Sequence, residues 1–157
     1  MKRHLRRARG FALALAVFLI VILAAIGAYL LSTSNTQIAA STLDEQGARA
    51  YQAARAGLEW GAYQVLQAPG GAFATACAGA SLSSPTTTTF SLPQISPSAA
   101  VAFRATVTCG SPGSEPEGGV TVRTYRLTST GCNDTSCPSS APGPNYAERQ
   151  LQLTIAN

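Results

Sequence analysis

Charged residues are scarce in this sequence: Asp, Glu, Lys and Arg make up 11% of 157 residues, against roughly 25% in typical soluble proteins. This deficit argues against a cytosolic enzyme with a charged surface. The length allows one folded domain and its attachments, but not two ordinary domains in addition to the apolar segment described below.

Histidine is almost missing, because His4 is the only one. No Ser-His-Asp triad can therefore form in the rest of the chain. The sequence also has no Gly-rich phosphate loop and no His-Glu-x-x-His pattern. Glu115 and Glu117 lie two apart in the segment 110–119 (GSPGSEPEGG), where a solvated turn is favoured over an acid/base pair. We expect no catalytic residue, no cofactor and no enzymatic activity.

Basic residues are few outside the amino terminus. Five of the eleven precede Phe11, namely Lys2, Arg3, Arg6, Arg7 and Arg9. From Phe11 onward there are six basic and seven acidic residues. A nucleic-acid-binding protein carries its basic residues on a folded surface, where they neutralise phosphates. We therefore expect no nucleic-acid partner.

The most distinct feature present is the apolar run 11–31, FALALAVFLIVILAAIGAYLL, which has neither charge nor proline. As a helix it would cross about 30 Å of hydrocarbon. Because Lys and Arg are retained on the cytoplasmic side, residues 1–10 are predicted inside the cell and the chain after about Ser32 outside.

Three interpretations of this amino terminus compete. A secretory signal has an apolar core of roughly 7 to 15 residues followed by small residues; here the core is longer, although Ser32-Thr33-Ser34 offers a weak cleavage site. A permanent anchor requires only charge and length, and it leaves Gly10 unexplained. The third interpretation is a leader that is cut on the cytoplasmic side of the apolar run, after Gly10.

The helix is predicted to continue through residues 32–67, because there is no proline between Phe11 and Ala68. Its spacing indicates one face that packs on the head, made of Leu43, Gly47, Tyr51, Ala54, Leu58, Gly61 and Val65. A solvated side carries Glu45, Arg49, Gln52 and Glu59. Glu45 and Arg49 have the i,i+4 spacing of an ion pair.

The head is predicted to span residues 68–157. Pro69-Gly70-Gly71 ends the helix, and a loop is expected to continue to about Thr89. Alternating apolar residues predict strands at 101–109, 120–130 and 148–155, with a short edge strand at 90–95. The expected fold class is α+β, with a small antiparallel sheet on the extracytoplasmic half of the helix.

All four cysteines lie in the predicted extracytoplasmic head: Cys77, Cys109, Cys132 and Cys137. Disulfides persist in that compartment, and four cysteines allow three pairings. Proximity favours Cys132 with Cys137, which leaves Cys77 with Cys109. A metal site fits less well, since the head has no Cys-x-x-Cys pair and no histidine.

Two motifs resemble a known family. A short basic leader that ends in Gly10, followed by Phe11 and about twenty apolar residues, resembles the class III leader of type IV pilins and pseudopilins. The segment 44–66, DEQGARAYQAARAGLEWGAYQVL, is similar to the corresponding helix of the MshP-type biogenesis proteins of the mannose-sensitive haemagglutinin (MSHA) pilus. It resembles PilX-type minor pilins more loosely.

The resemblance implies a pilin-like fold in which the transmembrane half of the helix (11–31) is also the assembly segment. It implies cleavage after Gly10 by prepilin peptidase, methylation of Phe11, and other pilin and minor pilin subunits as partners. The subunit would be held by inner-membrane lipid first and by a filament later. Most family members carry Glu at the fifth mature position, which is Leu15 here; this departure suggests a scarce subunit at or near the filament tip. A type II secretion pseudopilin and a permanently anchored binding protein stay open as alternatives.

Overall fold

The computed structural model describes residues 8–93, 95 and 102–157, without the side chains of 8–11, 35 and 36. Helix α1 (Ala8–Gln67) and helix α2 (Ala72–Gly79) precede four strands, which are β1 (Thr86–Ser91), β2 (Arg104–Glu117), β3 (Val120–Cys132) and β4 (Glu148–Ala156). The expected α+β layout is confirmed. The chain divides into two compact units after Thr42, within α1, and each unit is described by itself.

The first unit is helical wherever it is described. No proline interrupts it, and two threonine hydroxyls bond back to the helix. Thr33 Oγ1 donates to the Leu30 carbonyl over 3.0 Å, and Thr42 Oγ1 donates to the Ile38 carbonyl over 3.0 Å. These bonds satisfy hydroxyl groups that otherwise compete with helical structure.

In the second unit, α1 ends where the sequence predicts. The residue before a proline is disfavoured in the helical region, and α1 stops at Gln67, just before Ala68-Pro69. The predicted loop up to Thr89 is wrong, because α2 and most of β1 lie within it. Helix α2 forms there because Phe73, Ala74 and Cys77 fall on one side and are buried together.

The sheet is a four-stranded antiparallel meander in the order β1-β2-β3-β4. The predicted edge strand at 90–95 is displaced, since β1 ends at Ser91; residues 94 and 101, within two predicted strands, lie outside the described residues. Strand β4 has the predicted alternation: Leu151, Leu153 and Ile155 are half-buried, and Gln150, Gln152 and Thr154 are exposed.

The hairpin between β2 and β3 corrects the turn predicted at 110–119. Residues up to Glu117 belong to β2 and pair with β3, with a register shift between Gly110 and Gly113. Only Gly118 and Gly119 form the turn, with φ of +56° and +88°. Two-residue hairpin loops of the I′ type require positive φ at both positions, which glycine adopts without steric cost.

Small residues bring the helix close to the sheet. A Cβ on Gly61 would lie 3.1 Å from Val107 Cγ1 and 3.2 Å from Leu127 Cδ2. A Cβ on Gly131 would overlap the Ala50 carbonyl oxygen and the Ala54 nitrogen. The helix backbone therefore rests almost directly on β3.

The face of α1 that packs on the sheet differs from the predicted one. Leu43 and Tyr51 are 42% and 47% exposed, so they do not belong to it. The buried positions are Gly47, Ala50, Ala53, Ala54, Gly57, Gly61 and Val65. Four of the predicted positions, Gly47, Ala54, Gly61 and Val65, are therefore confirmed, and Leu58 is half-buried. The prediction missed Ala50, Ala53 and Gly57, which are small enough to allow the close approach of helix and sheet.

Candidate functional site

The amino-terminal part of α1 is the first candidate site. Gly10 and Phe11 lie in this helix, and their side chains fall outside the description. From residue 12 to residue 31 every residue is exposed except half-buried Gly27. The most apolar window has a mean hydropathy of 2.8, and none of it is buried. By length and composition, this helix could cross a membrane.

Leu15 lies within this exposed apolar surface and is 49% exposed. A contiguous apolar patch of this size is unusual on a soluble monomer and marks contact with lipid or with another apolar surface. The segment supplies no polar chemistry from residue 12 to residue 28. The segment can therefore act only by burying its apolar surface against lipid or against another apolar surface.

The two disulfides lie in the second unit, and their pairing is the one that sequence proximity favoured. Cys77–Cys109 joins α2 to β2 with a Cα–Cα distance of 5.3 Å, and Cys132–Cys137 closes a short loop with a distance of 5.8 Å. Among the described residues, no group of three or more His, Cys, Asp or Glu side chains could hold a metal ion.

The Cys132–Cys137 loop folds over the face of the sheet opposite α1. Thr106 Oγ1 donates a hydrogen bond to the Cys137 carbonyl, and Thr106 and Thr130 are each 6% exposed. Residues 104 and 106 point away from the face that carries Ala105 and Val107, because side chains alternate along a strand. The disulfide loop therefore covers polar residues that would otherwise face solvent.

Asn133 ties this loop to α1, which sequence reasoning missed. Its Nδ2 donates to Gln46 Oε1 over 2.7 Å and to the Asn145 carbonyl over 2.8 Å. Its Oδ1 accepts from the Ala147 nitrogen over 2.8 Å. The only sequence signal is an Asn directly after a strand, where Asn side chains commonly organise turns.

We call the hydrogen bonds of Asn133 to Gln46, Asn145 and Ala147 the Asn133 clamp. A polar groove of about 330 Å³ opens beside it, lined by Gln46, Asn133, Asp134, Gly143, Pro144, Asn145 and Tyr146. A hydrogen bond from Ser139, followed by one from the Thr135 backbone, lowers the pKa of Asp134. Burial, followed by the hydrogen bond to Glu148, raises the pKa of Tyr146. The hydrogen bonds of Asp134 and Tyr146 fix the loop.

The solvent side of α1 in the second unit carries two ion pairs. The predicted Glu45–Arg49 pair is confirmed at 2.8 Å, and Arg49 also donates to the Ile95 carbonyl over 2.8 Å. A second pair joins Arg55 Nε to Glu59 Oε1 over 2.8 Å. The hydrogen bond to Glu59 raises the pKa of Arg55 above its ordinary value.

Comparison with protein-family models, with curated proteins and with solved structures finds no match for this chain. Its function must therefore be inferred from the sequence and from the arrangement described above.

Proposed function

We propose that this chain is a minor pilin-like structural subunit of a type IV pilus of the MSHA type, and that it helps to initiate or cap filament assembly. One observation supports this proposal most: Gly10-Phe11 is followed by an exposed apolar part of α1, residues 12–31, and then by a disulfide-bonded head. In the proposed function the subunit acts by assembling, not by catalysis.

The physical argument concerns the apolar surface of residues 12–31. Removing it from lipid into water is costly, because water solvates apolar surface poorly. A bundle of similar helices buries the same surface again through close packing. Inner-membrane lipid before assembly and neighbouring pilin subunits after it are therefore the proposed partners, and another protein must supply the energy of extraction.

The proposed position in the filament follows from Leu15. In the resembled family, Glu at this position pairs with the amino-terminal charge of the subunit ahead. A leading subunit has no such neighbour, and an unpaired carboxylate in an apolar bundle would cost several kcal/mol. Leucine avoids this cost, so the subunit suits a place at or near the tip.

The mass of the amino-terminal peptide of the mature protein tests the processing step. We expect a peptide that begins at Phe11 and carries one methyl group. Gly10→Glu should block cleavage, whereas Ser32→Ala, which alters the alternative cleavage region, should leave it unchanged. A retained Met1 would favour a permanently anchored binding protein, and a start after Ser34 would favour a secreted one.

Quantitative mass spectrometry of sheared filaments tests the position. A few copies per filament are expected. A copy number close to that of the major pilin would contradict a tip position. Absence from filaments, with the processed subunit retained at the inner membrane, would favour a type II secretion pseudopilin.

A further inference from the structure

Strand β1 forms one edge of the sheet, next to β2. In an antiparallel pair, every second residue directs its N–H and C=O groups to the partner strand. The Leu92 nitrogen donates to the Phe103 carbonyl over 2.8 Å where this pair ends, so the alternation directs the backbone groups of Thr87, Thr89 and Ser91 outward. Within the described part of the chain these outward groups have no backbone partner. The outer side of β1 can therefore accept another strand.

The usual protection of a sheet edge is missing from β1. Edges are commonly blunted by charged side chains, by proline or by a bulge. Strand β1 has the sequence TTTTFS, and its register with β2 is continuous. No charged residue occurs from Gly61 to Phe103, so this part of the head repels partner segments of neither charge. The other edge strand, β4, begins with Glu148 and Arg149.

A pocket of about 410 Å³ lies beside this edge, on the side of the sheet that faces α1. Half-buried Trp60 forms part of it, with its ring centroid 4.8 Å from that of Phe73 and 5.2 Å from that of Phe90. We call it the Trp60 pocket, and its lining comes from α1, α2 and β1: Trp60, Gln64, Ala72, Phe73, Ala76, Thr86 and Thr88.

The Trp60 pocket combines aromatic rings with groups that can form hydrogen bonds. Among the described residues, the indole N–H of Trp60 and the amide of Gln64 have no hydrogen-bond partner. The same holds, within those residues, for the hydroxyl groups of Thr86 and Thr88. Ligand sites in proteins typically pair an apolar lining with a few polar groups of this kind.

The edge and the pocket are positioned to bind one extended segment. Side chains that lie opposite each other on neighbouring strands point to the same face of a sheet. A residue of an added strand opposite Thr86 or Thr88 would therefore point toward the Trp60 pocket. The residues next to it in that strand would lie beside Thr87 and Thr89, which are exposed on the other face.

We propose that β1 and the Trp60 pocket bind an extended segment of a different protein, which adds a strand to β1 and places a large apolar side chain in the pocket. In this mode main-chain hydrogen bonds supply affinity and the pocket supplies specificity. A second copy of β1 does not offer such a side chain, because its only large apolar residue, Phe90, packs against its own Trp60. The proposal concerns the second unit alone and does not depend on the proposed function.

Fluorescence of Trp60, the only tryptophan in the chain, reports directly on the pocket. The probe is a synthetic peptide of alternating threonine and valine with one central leucine and a lysine at each end, added to the full chain in micelles. We expect a saturable change in fluorescence. Replacing the central leucine with alanine should weaken binding by about tenfold, because less apolar surface is buried. Added salt should change the affinity little, because the surface is uncharged.

Amide hydrogen exchange, followed by NMR of the full chain in micelles, tests the addition of a strand. Saturating peptide should slow exchange at Thr87 and Thr89 on the order of tenfold, because their N–H groups become hydrogen-bonded. The amides of Gln150 and Gln152, on the outer side of β4, are the control and should exchange at an unchanged rate.

Substitutions test the edge and the pocket separately. Thr87→Pro removes an outward N–H but no bond to β2, and edge strands tolerate proline at such positions. It should weaken binding by about fivefold, the effect of one net hydrogen bond, whereas Thr87→Val keeps the N–H and should bind normally. Ala76→Phe should block the pocket, whereas Thr75→Phe, at an exposed neighbouring position of α2 outside the pocket lining, should not.

N-methylated peptides repeat the edge test without changing the protein. Only every second N–H of an added strand bonds to β1. Of two peptides that are N-methylated at alternate residues, one should therefore lose binding and the other should retain it. Denaturant unfolding shows whether each protein variant is folded.

Several results would overturn the proposal. A fluorescence change without protection of Thr87 and Thr89 would show a pocket ligand that adds no strand, and protection of the β4 amides would place the strand at the other edge. Protection of Thr87 that rises with chain concentration in the absence of peptide would show pairing between two copies. A stronger response of Trp60 to maltose than to the peptide would assign the pocket to saccharides. The absence of binding at millimolar peptide would also contradict the proposal, and none of these outcomes bears on the mass of the amino-terminal peptide.

Discussion

The two units of this chain use apolar residues in opposite ways. From residue 12 to residue 31 nearly every side chain is exposed, including leucines, isoleucines and Phe18. In the second unit Val107 and Leu127 are completely buried in one cluster with the Cys77–Cys109 disulfide. Phe103 is completely buried in another cluster, with Ala50 and Ala53. The first unit therefore requires an apolar environment from outside the chain, whereas the second supplies its own.

This contrast teaches where each kind of stability originates. A long helix can satisfy its backbone hydrogen bonds alone, but its apolar side chains gain nothing until lipid or a neighbour covers them. The head gains its stability from a small core, from covalent bridges and from close helix–sheet packing. The following experiments change one unit while the other serves as the reference.

Removal of the Cys77–Cys109 bridge should have the largest effect. The bridge spans 32 residues and both cysteines are fully buried. We expect Cys77→Ala/Cys109→Ala to lower the free energy of unfolding of the head by about 3 to 4 kcal/mol on the chain-entropy model. Fluorescence of Trp60, which packs against Phe73 and Phe90, follows denaturant unfolding of the full chain in micelles.

The second bridge is the matched control. Its cysteines are only 5 residues apart, so Cys132→Ala/Cys137→Ala should cost less, about 2 kcal/mol. If both double variants lost the same stability, loop length would not govern the effect. Neither variant should alter extraction of the chain from membranes.

The end of helix α1 and the alternation in strand β4 show how much of the fold can be predicted from the sequence. The end of α1 and the alternation in β4 follow from Pro69 and from period-two apolar residues. The edge strand was predicted at 90–95, four residues after the start of β1, because the four threonines of β1 give no apolar alternation. The prediction ended β2 at residue 109, whereas the strand continues to Glu117. No local pattern indicates this extension, because it contains Pro112 and Pro116 and proline is rare within strands.

The candidate site was predictable to a different extent in each unit. The exposure of Leu15 could be predicted from composition alone. The surrounding residues 12–28 are all apolar, so no polar side chain distinguishes a solvent-exposed face of this helix from a buried one. The Asn133 clamp depends on Gln46, which is 87 residues away. Contacts of that range are set by tertiary packing, which no local pattern reports.

A charge in the middle of the apolar segment should have the second largest effect, and only on the first unit. Val21 is exposed in that segment, and an arginine at such a position opposes insertion by about 2.5 to 3.5 kcal/mol. Val21→Arg should therefore shift the chain out of the membrane fraction after carbonate extraction. Ser34→Arg, placed beyond the apolar run, should stay in it. Equal extraction of both variants would argue against a membrane-spanning segment.

Paired glycine substitutions should distinguish the two units directly. A methyl group at Gly131 meets the backbone of α1, whereas one at Gly27 has no atom within 4 Å. We expect Gly131→Ala to destabilise the head by about 2 kcal/mol through overpacking. Gly27→Ala should leave unfolding unchanged, as should Gly143→Ala, whose added Cβ also lies in open space. A neutral Gly131→Ala would show that α1 can move away from β3 without loss.

Alkaline pH should have the smallest effect, and only on the head. Tyr146 donates to Glu148 and accepts from the Ser139 nitrogen over 3.0 Å, and burial followed by the Glu148 bond raises its pKa. In the folded head the phenol therefore keeps its proton at a pH where the unfolded chain has lost it. The unfolded state then binds fewer protons, so stability falls as pH rises above about 10.

Tyr146→Phe removes this titration together with the two hydrogen bonds. We expect the variant to be less stable near neutral pH but to lose less stability between pH 9 and about 11 than the unmodified chain. Short equilibration at each pH limits disulfide exchange during the measurement. Tyr63→Phe, at a position 59% exposed, controls for loss of a phenol and should keep the alkaline slope of the unmodified chain. Parallel slopes for Tyr146→Phe and Tyr63→Phe would show that the titration of Tyr146 does not contribute to the loss of stability at alkaline pH.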